Sequence, residues 1–422
     1  MDLIRNVHKR DFSTIPIDCF WNTGEEKESL MHRIHAYPAK FPSFITTKGI
    51  QYAKENGIEV KMIADIFCGC GTTAYEAKKN NIDFWGSDIN PVATLIARSK
   101  RNKYSNDKIQ KYYDELITEF NRISIPTDLL DTINQRIRYW FYEVQIKDLY
   151  KLKNAILNTI PKTSRYHDLF FCVFSNILKP TSKWLTKSIK PQIDKNKKPL
   201  DVLDAFRNQV LIISNAISEG VKLSDAKSSI ETLNFLNDTV PVKLVDMVIT
   251  SPPYVTSYEY ADLHQLSSLW LDFTKDYRKL REGTIGSIYH TDSFINDKKI
   301  LNKTGLSIVE SLFSVNKRKA RSVAKYFIDM QETATKTFSV LKDKGLALFV
   351  IGNTELCGIR IDNAKHLSES LLEAGFTDIK ASKRKISKKI LTPYRDDKGR
   401  FTSDSKSRKV YSEEFIIIGK KE

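Results

Sequence analysis

Hydrophobic and polar positions along this chain fall into two alternating regimes. Between 59 and 100, short apolar runs closed by turn-forming residues alternate with helical periods. "EVKMIADIF" (59–67) reads as a buried strand, followed by the small-residue turn "CGCGTT" and a helix at "AYEAKKN". "IDFWGSDIN" (82–90) reads as a second strand, and "PVATLIARSK" as a helix with Pro91 in its first turn. Such a β-α-β-α run predicts a parallel sheet. From 101 to 225 the period is helical throughout, in "KIQKYYDELITEFNRI", "IRYWFYEVQIKDLYKLKNAIL", "YHDLFFCVFSNIL" and "LDAFRNQVLIISNAISE".

Strand patterns resume at "SSIETLNFLND" (228–238) and "KLVDMVIT" (243–250). "YADLHQLSSLWLDF" (260–273) reads as one helix, and further helices run through "NKRKARSVAKYFIDM". "LKDKGLALFVIGNT" (341–354) ends in a buried strand, "NAKHLSESLLEAG" is a helix stopping at Gly375, and "TDIKASKRKI" and "EEFIIIGKK" are closing strands. The pattern divides the chain into an irregular arm at 1–48, half of an α/β domain at 49–100, a helical insertion at 101–225 and the other half at 226–422. There is no internal repeat.

Composition narrows the class. An apolar fraction of 41% over 422 residues supports one large domain with an insertion, or two domains. No run of about 18 apolar residues predicts a membrane span, and "MDLIRNVHKRDF" lacks a signal-peptide core. The five scattered cysteines fit a reducing cytoplasm rather than a disulfide framework. Cys68 and Cys70 have no second pair at zinc spacing, and no two histidines are spaced as H-x-x-x-H, so no metal is expected. The excess of 67 basic over 51 acidic residues, +16, points to a polyanionic partner. A basic loop around Trp184 carries Lys183, Lys187, Lys190, Lys195, Lys197 and Lys198 as candidates for gripping phosphate. "NKRKAR" (316–321) and "KASKRKISKK" (380–389) are two more candidates.

Two short stretches carry the chemistry. In "ADIFCGCGTTA", Gly69 and Gly71 stand between a strand and a helix, where a backbone without Cβ bends tightly and approaches a ligand closely. Asp88, 19 residues after Gly69, ends the next strand and can accept ribose hydroxyls. The same glycine spacing fits a dinucleotide fingerprint, so a nicotinamide enzyme competes. Asp65, just before the turn, favours a ligand with a cationic amino group over a pyrophosphate. In "VITSPPY", Ser251-Pro252-Pro253-Tyr254 follows an apolar run. Two prolines make a stiff extended turn with unpartnered carbonyls. The exocyclic amine of cytosine or adenine is a poor nucleophile and needs acceptors that hold it in line with an electrophile. Ser251 and the Pro252 carbonyl could supply them, and Tyr254 a stacking face for a base flipped from its duplex.

At these residues the chain resembles the S-adenosylmethionine-dependent DNA amino-methyltransferases. "DIFCGCGTT" looks like their cofactor motif, "GSDINP" like the acidic motif after the second strand, and "TSPPY" like the catalytic motif usual for cytosine-N4 enzymes. Adenine-N6 enzymes more often carry Asp or Asn before Pro-Pro. "HAYPAKFP" (35–42) is similar to a segment that helps close the methionine pocket. "LNFLND" resembles the third cofactor strand, with Asp238 near the adenine amino group. The resemblance implies an α/β, Rossmann-like, seven-stranded sheet, mostly parallel with one antiparallel strand, interrupted by the helical insertion. It implies S-adenosyl-L-methionine held by Tyr37, Pro38, Lys40, Phe41, Asp65, Phe67, Gly69, Gly71, Thr72, Asp88, Asn90 and Asp238. It also implies double-stranded DNA as substrate, a prokaryotic cytoplasmic setting and a companion restriction endonuclease. Cytosine-C5 chemistry is not supported, because no cysteine follows a proline. The insertion, and a cofactor motif that precedes the catalytic one, leave the place of sequence readout open. Adenine-N6 methylation, RNA methylation and a non-catalytic nucleic-acid-binding module remain alternatives.

Overall fold

A computed structural model of the chain describes every residue except 5, 23–26, 41, 241–243, 256–258, 287–298, 387–393, 396–401, 403, 405, 407 and 410–412. The first half contains β1 (Asp2–Leu3), α1 (Ser43–Glu55), β2 (Met62–Asp65), α2 (Thr72–Lys79), β3 (Asp83–Asp88) and α3 (Pro91–Lys100). Six helices follow: α4 (Asn106–Arg122), α5 (Leu129–Thr132), α6 (Gln135–Trp140), α7 (Glu143–Thr159), α8 (Arg165–Ile177) and α9 (Val202–Ser218). The chain then returns through β4 (Ser228–Thr232), β5 (Val245–Thr250), α10 (Tyr260–Leu263), α11 (Gln265–Trp270), α12 (Lys303–Val315) and α13 (Lys317–Val340). It closes with β6 (Leu341–Gly352), β7 (Thr354–Leu356), β8 (Ile359–Ile361), α14 (Asn363–Glu373), β9 (Thr377–Arg384), β10 (Tyr394–Arg395), β11 (Arg408–Lys409) and β12 (Glu414–Lys420).

The main sheet runs β1-β9-β12-β6-β5-β2-β3-β4. Strands β4, β3, β2, β5 and β6 pair in parallel, and β12 is antiparallel to both β6 and β9. Seven strands, mostly parallel with one reversed near the C-terminus, make the expected Rossmann-like sheet. An eighth strand exceeds the expectation: β1 pairs antiparallel with β9. The N-terminal backbone covers an otherwise open sheet edge, continued by Ile4 N–H donating to the Ile379 carbonyl (2.8 Å). The arm is therefore part of the sheet rather than a loose lead-in.

Both sheet faces are covered, which explains the unbroken apolar runs. Along β6, Ala347, Phe349 and Ile351 face the helices α12, α13 and α14, while Leu346, Leu348 and Val350 face α1 and α2. In β12, Phe415 and Ile417 join the first layer, and Ile416 and Ile418 the second. The inserted helices form a third body. Its core, including Leu116, Leu152, Phe170, Phe174 and Phe206, continues into Tyr75 of α2 and Val92, Leu95 and Ile96 of α3. Arg98 and Asp168 bridge α3 to α8 (2.8 Å).

Several boundaries differ from the pattern. The helix expected across 137–157 breaks at Phe141, whose extended backbone buries its ring against Trp270. The helix expected at 260–273 is two, because Tyr260–Leu263 ends at His264 before Gln265–Trp270 begins. The strand expected through Asp238 ends at Thr232, where the backbone turns. Helix α1 starts at Ser43 behind Pro42, inside the segment taken as arm.

Candidate active site

The crevice forms at the carboxyl edge of β2 and β5, where the strand order reverses. In open α/β sheets this is where ligands bind. The glycine turn leaves β2 there, and the diproline turn leaves β5. A buried carboxylate fastens the two: Thr73 Oγ1 of α2 and Thr250 Oγ1 of β5 each donate to Asp65 at 2.7 Å. Asp65 has no exposure, and burial raises its pKa to about 6 against the opposing hydroxyl bonds. This corrects its assignment. With a hydroxyl donated to each oxygen and no surface left open, Asp65 ties the two motifs together from behind the turn rather than facing a ligand.

The turn needs its glycines. Gly69 and Gly71 have φ of 46° and 75°. A Cβ on Gly71 would stand 2.6 Å from the Ala97 Cβ and 2.7 Å from its Cα, so this glycine lets α2 approach α3. Gly71 N-caps α2 without a side-chain bond, and Thr72 is buried in the first turn. Asp88 holds the loop from β3: the Gly69 N–H donates to Oδ2 (2.9 Å) and the Asn90 N–H to Oδ1 (2.8 Å). Burial raises the half-buried Asp88 to about pKa 6 despite these two donors.

The N-terminal arm lies over the glycine turn. The Tyr37 ring sits 3.5 Å from where a Gly69 Cβ would be. It stacks on Tyr260 (5.8 Å, 17°) and leans on His264 (5.2 Å). Neighbouring arm residues are pinned by the inserted helices. Asn176 accepts from the Ala36 N–H (2.9 Å), Gln209 donates to the Ile34 carbonyl (2.6 Å), and His35 shares a hydrogen bond with Ser175 (2.9 Å). Pro38 is half-buried beside Tyr37. Lys40 departs from expectation, since its ammonium is committed to Glu28 (3.0 Å) and the His32 carbonyl (2.7 Å). Phe41 lies outside the described residues.

Asn90 does two jobs. Its Oδ1 accepts from the Val92 N–H and caps α3 (3.0 Å), so its Nδ2 is the atom facing His264 Nδ1 (2.7 Å). That donor fixes the histidine tautomer: Nδ1 accepts, and Nε2 carries the proton. Burial lowers the His264 pKa to about 4, keeping the ring neutral. Its Nε2 is buried without a hydrogen-bond partner. Sequence reasoning missed His264 and Tyr260; the available signal was their i, i+4 spacing just after the diproline turn. Phe67 meets Phe235 edge-to-face at 6.4 Å, making an aromatic wall between the ends of β2 and β4. Asp238 differs from expectation: its carboxylate accepts from the Asn234 N–H (2.7 Å), closing its own exposed turn.

At the diproline corner, the Ser251 hydroxyl donates to the Val350 carbonyl of β6 (3.1 Å). With its proton used, Oγ presents lone pairs. Pro252 is buried and Pro253 half-buried. The Tyr254 ring rests on Gly352, where a Cβ would come within 2.8 Å, and its phenol donates to Glu414 (3.1 Å). Burial and the Glu414 carboxylate hold that phenol protonated, well above its usual pKa. Arg384 in turn pairs with Glu414. Gly352 and Glu414 are support that the motif alone could not show.

The basic loop is built around a buried Trp184, stacked on Trp140 at 5.0 Å. Lys197 is a clamp rather than a phosphate grip. Its ammonium donates to the carbonyls of Lys179 (2.9 Å) and Trp184 (2.7 Å), and burial lowers its pKa to about 8. Lys183 lies over the Tyr142 ring (5.1 Å). Lys187, Lys190, Lys195 and Lys198 are exposed. In the 380–389 stretch, Lys383 and Arg384 are engaged by Glu413 and Glu414. Among the described residues no cluster of three or more His, Cys, Asp or Glu side chains could hold a metal, and no helix is long and apolar enough to cross a membrane.

No family model matches the chain. It is similar to the Type II methyltransferase M.MvaI of Kocuria varians, 23% identical over 400 residues, covering 88% of this chain and 87% of that one. It is also similar to the Type II methyltransferase M.BsoBI of Geobacillus stearothermophilus, 26% identical over 253 residues, covering 52% of this chain and 48% of that one. A solved rRNA methyltransferase, AviRa from Streptomyces viridochromogenes, matches at 11% identity over 89% of this chain and 100% of its own, with a TM-score of 0.31. The sequence similarities support a methyltransferase family for the chain.

Proposed function

We propose that this chain is an S-adenosylmethionine-dependent DNA methyltransferase that modifies the N4 amine of cytosine in duplex DNA, with the target base flipped out of the helix. One observation carries the reading: Ser251-Pro252-Pro253-Tyr254 and the Gly69–Gly71 turn open onto the same edge, joined through Thr250 and Asp65. The relatives' Type II names and the TSPPY sequence support the substrate class and the cytosine choice. They also extend the proposal to a restriction–modification setting with a companion endonuclease.

The residues fit the cofactor. Asp88 retains lone pairs for ribose hydroxyls, Phe67 and Phe235 offer an aromatic wall, and His264 Nε2–H is a buried donor without a partner. When bound, the cofactor supplies an electrophilic methyl on a sulfonium. Tyr37, carried by the arm over Gly69, excludes water from that edge. Ser251 Oγ and the Pro252 carbonyl accept from the amine and localise its lone pair, while Tyr254 is held by Glu414 to support the base. Among the described residues no free carboxylate or histidine stands at the corner as a strong base, so the amine proton leaves to solvent after transfer.

The test is methyl transfer from labelled cofactor to duplex DNA by wild type and by Ser251→Ala. Transfer by wild type, reduced at least tenfold in the variant with cofactor affinity unchanged, is the expected result. Absence of transfer to duplex DNA, or transfer only to RNA, contradicts the proposal.

A further inference from the structure

Outside the crevice, a cleft of about 460 Å³ opens between α6 and the segment that follows α11. Its walls include Arg136 and Tyr139 from α6 and Lys275, Tyr277 and Arg278 from the later segment. The Arg136 guanidinium lies over the rings of Tyr139 (4.7 Å), Trp140 (5.4 Å) and Tyr277 (5.6 Å). Its Nε donates to Gln265 Oε1 (2.8 Å), which also accepts from Trp140 Nε1 (3.0 Å). The stem is thus immobilised, and the two terminal amino groups make no hydrogen bond among the described residues. A planar fork held rigid in an aromatic frame matches a base edge or a phosphate better than a mobile lysine would.

The electrostatics agree. The acidic group in the lining, Asp276, is neutralised by three side-chain bonds from Arg278 (2.8, 2.9 and 3.1 Å). Lys275 and Arg278 are exposed, and Tyr139 keeps 49% of its surface in water. The cleft is also continuous with the basic loop. Trp140 stacks on Trp184, the Lys183 N–H donates to the Trp140 carbonyl (2.8 Å), and the Lys183 ammonium covers Tyr142. At its inner end, Gln265 starts the helix directly after His264, so the cleft and the crevice share the α10–α11 segment.

We propose that this cleft binds a nucleotide of the duplex flanking the flipped base. Arg136 meets the base edge or its phosphate, Lys275 grips the backbone, and Tyr139 supplies a face for contact. The site belongs jointly to the insertion and to the catalytic half. DNA engaged there bears on Gln265 and, through it, on the segment carrying Tyr260 and His264. This rests on duplex DNA being the substrate.

The experiment uses the full chain with a fluorescein-labelled duplex pool of about 30 random base pairs. Anisotropy is read across a salt series, and S-adenosylhomocysteine binding is titrated separately. Lys275→Ala should lower the slope of log affinity against log salt by about 0.9, one phosphate contact. Arg136→Met, which keeps the packed stem, should weaken DNA binding at least tenfold while S-adenosylhomocysteine affinity stays within twofold. Unchanged DNA affinity and slope in both variants overturn the inference. Tighter binding of structured RNA with the same sensitivity to these variants overturns it as well. Failure of wild type to methylate DNA would instead sink the functional reading, and the anisotropy series reports on the cleft independently of that outcome.

Discussion

Replacing each glycine of the β2–α2 turn by alanine separates packing from ligand approach. Both positions have left-handed φ, so either substitution strains the backbone by about 1–2 kcal/mol. Gly71→Ala adds a collision. Its Cβ would lie 2.7 Å from the Ala97 Cα, an atom of the α3 backbone that cannot swing aside. Overpacking of this kind costs about 1–3 kcal/mol, giving a total of roughly 2–5 kcal/mol. At Gly69 the nearest atoms belong to the Tyr37 ring at 3.5 Å, ordinary contact, so strain alone applies. Urea denaturation of the two variants beside wild type should place Gly71→Ala about 1–3 kcal/mol below Gly69→Ala. Titration with S-adenosylhomocysteine should show the reverse emphasis, with Gly69→Ala losing affinity because its methyl enters the space between turn and arm. Equal stabilities, or a greater stability loss at Gly69, would refute the reasoning.

Further outcomes follow from the same contacts. His264→Ala removes a buried Nε2–H donor and should weaken cofactor binding roughly five- to tenfold, about one neutral hydrogen bond, in an isothermal titration. Burial raises Asp65 and Asp88 to about 6 from 3.8, so the folded chain holds these protons more tightly than the unfolded one. Their contribution to stability is therefore present at about pH 4 and lost as pH rises to about 6, readable in urea midpoints across that window. Cofactor affinity should move the opposite way, falling below about pH 6 as the Asp88 carboxylate protonates. Replacing Lys187, Lys190, Lys195 and Lys198 together by alanine should lower the salt slope of DNA binding by up to about 3.6, whereas Lys197→Ala should leave the slope alone and loosen the loop.

Much of the sheet was legible because its central strands are buried on both faces and read as unbroken apolar runs. Ile63 and Ala64 on β2, and Met247 and Val248 on β5, each divide between the two helical layers. The glycine turn and the diproline corner stood out because backbone geometry dictates their residues. What the sequence did not show depended on folded contacts that no local pattern announces. Lys40 and Lys197 look like free cations until their carbonyl and carboxylate acceptors are seen. Asp65 looks ligand-facing until Thr250 arrives from β5. The break at His264 has no proline or glycine to announce it, and β1 is only two residues long. The Arg136 cleft draws its walls from two segments that no local pattern connects.

Nucleoside analysis of duplex DNA incubated with methyl-labelled cofactor and this chain reads the modified atom itself. The account predicts label in N4-methylcytosine, reduced at least tenfold when Ser251 is replaced by alanine. Label confined to N6-methyladenine, or none in any nucleoside while the cofactor still binds, would contradict it.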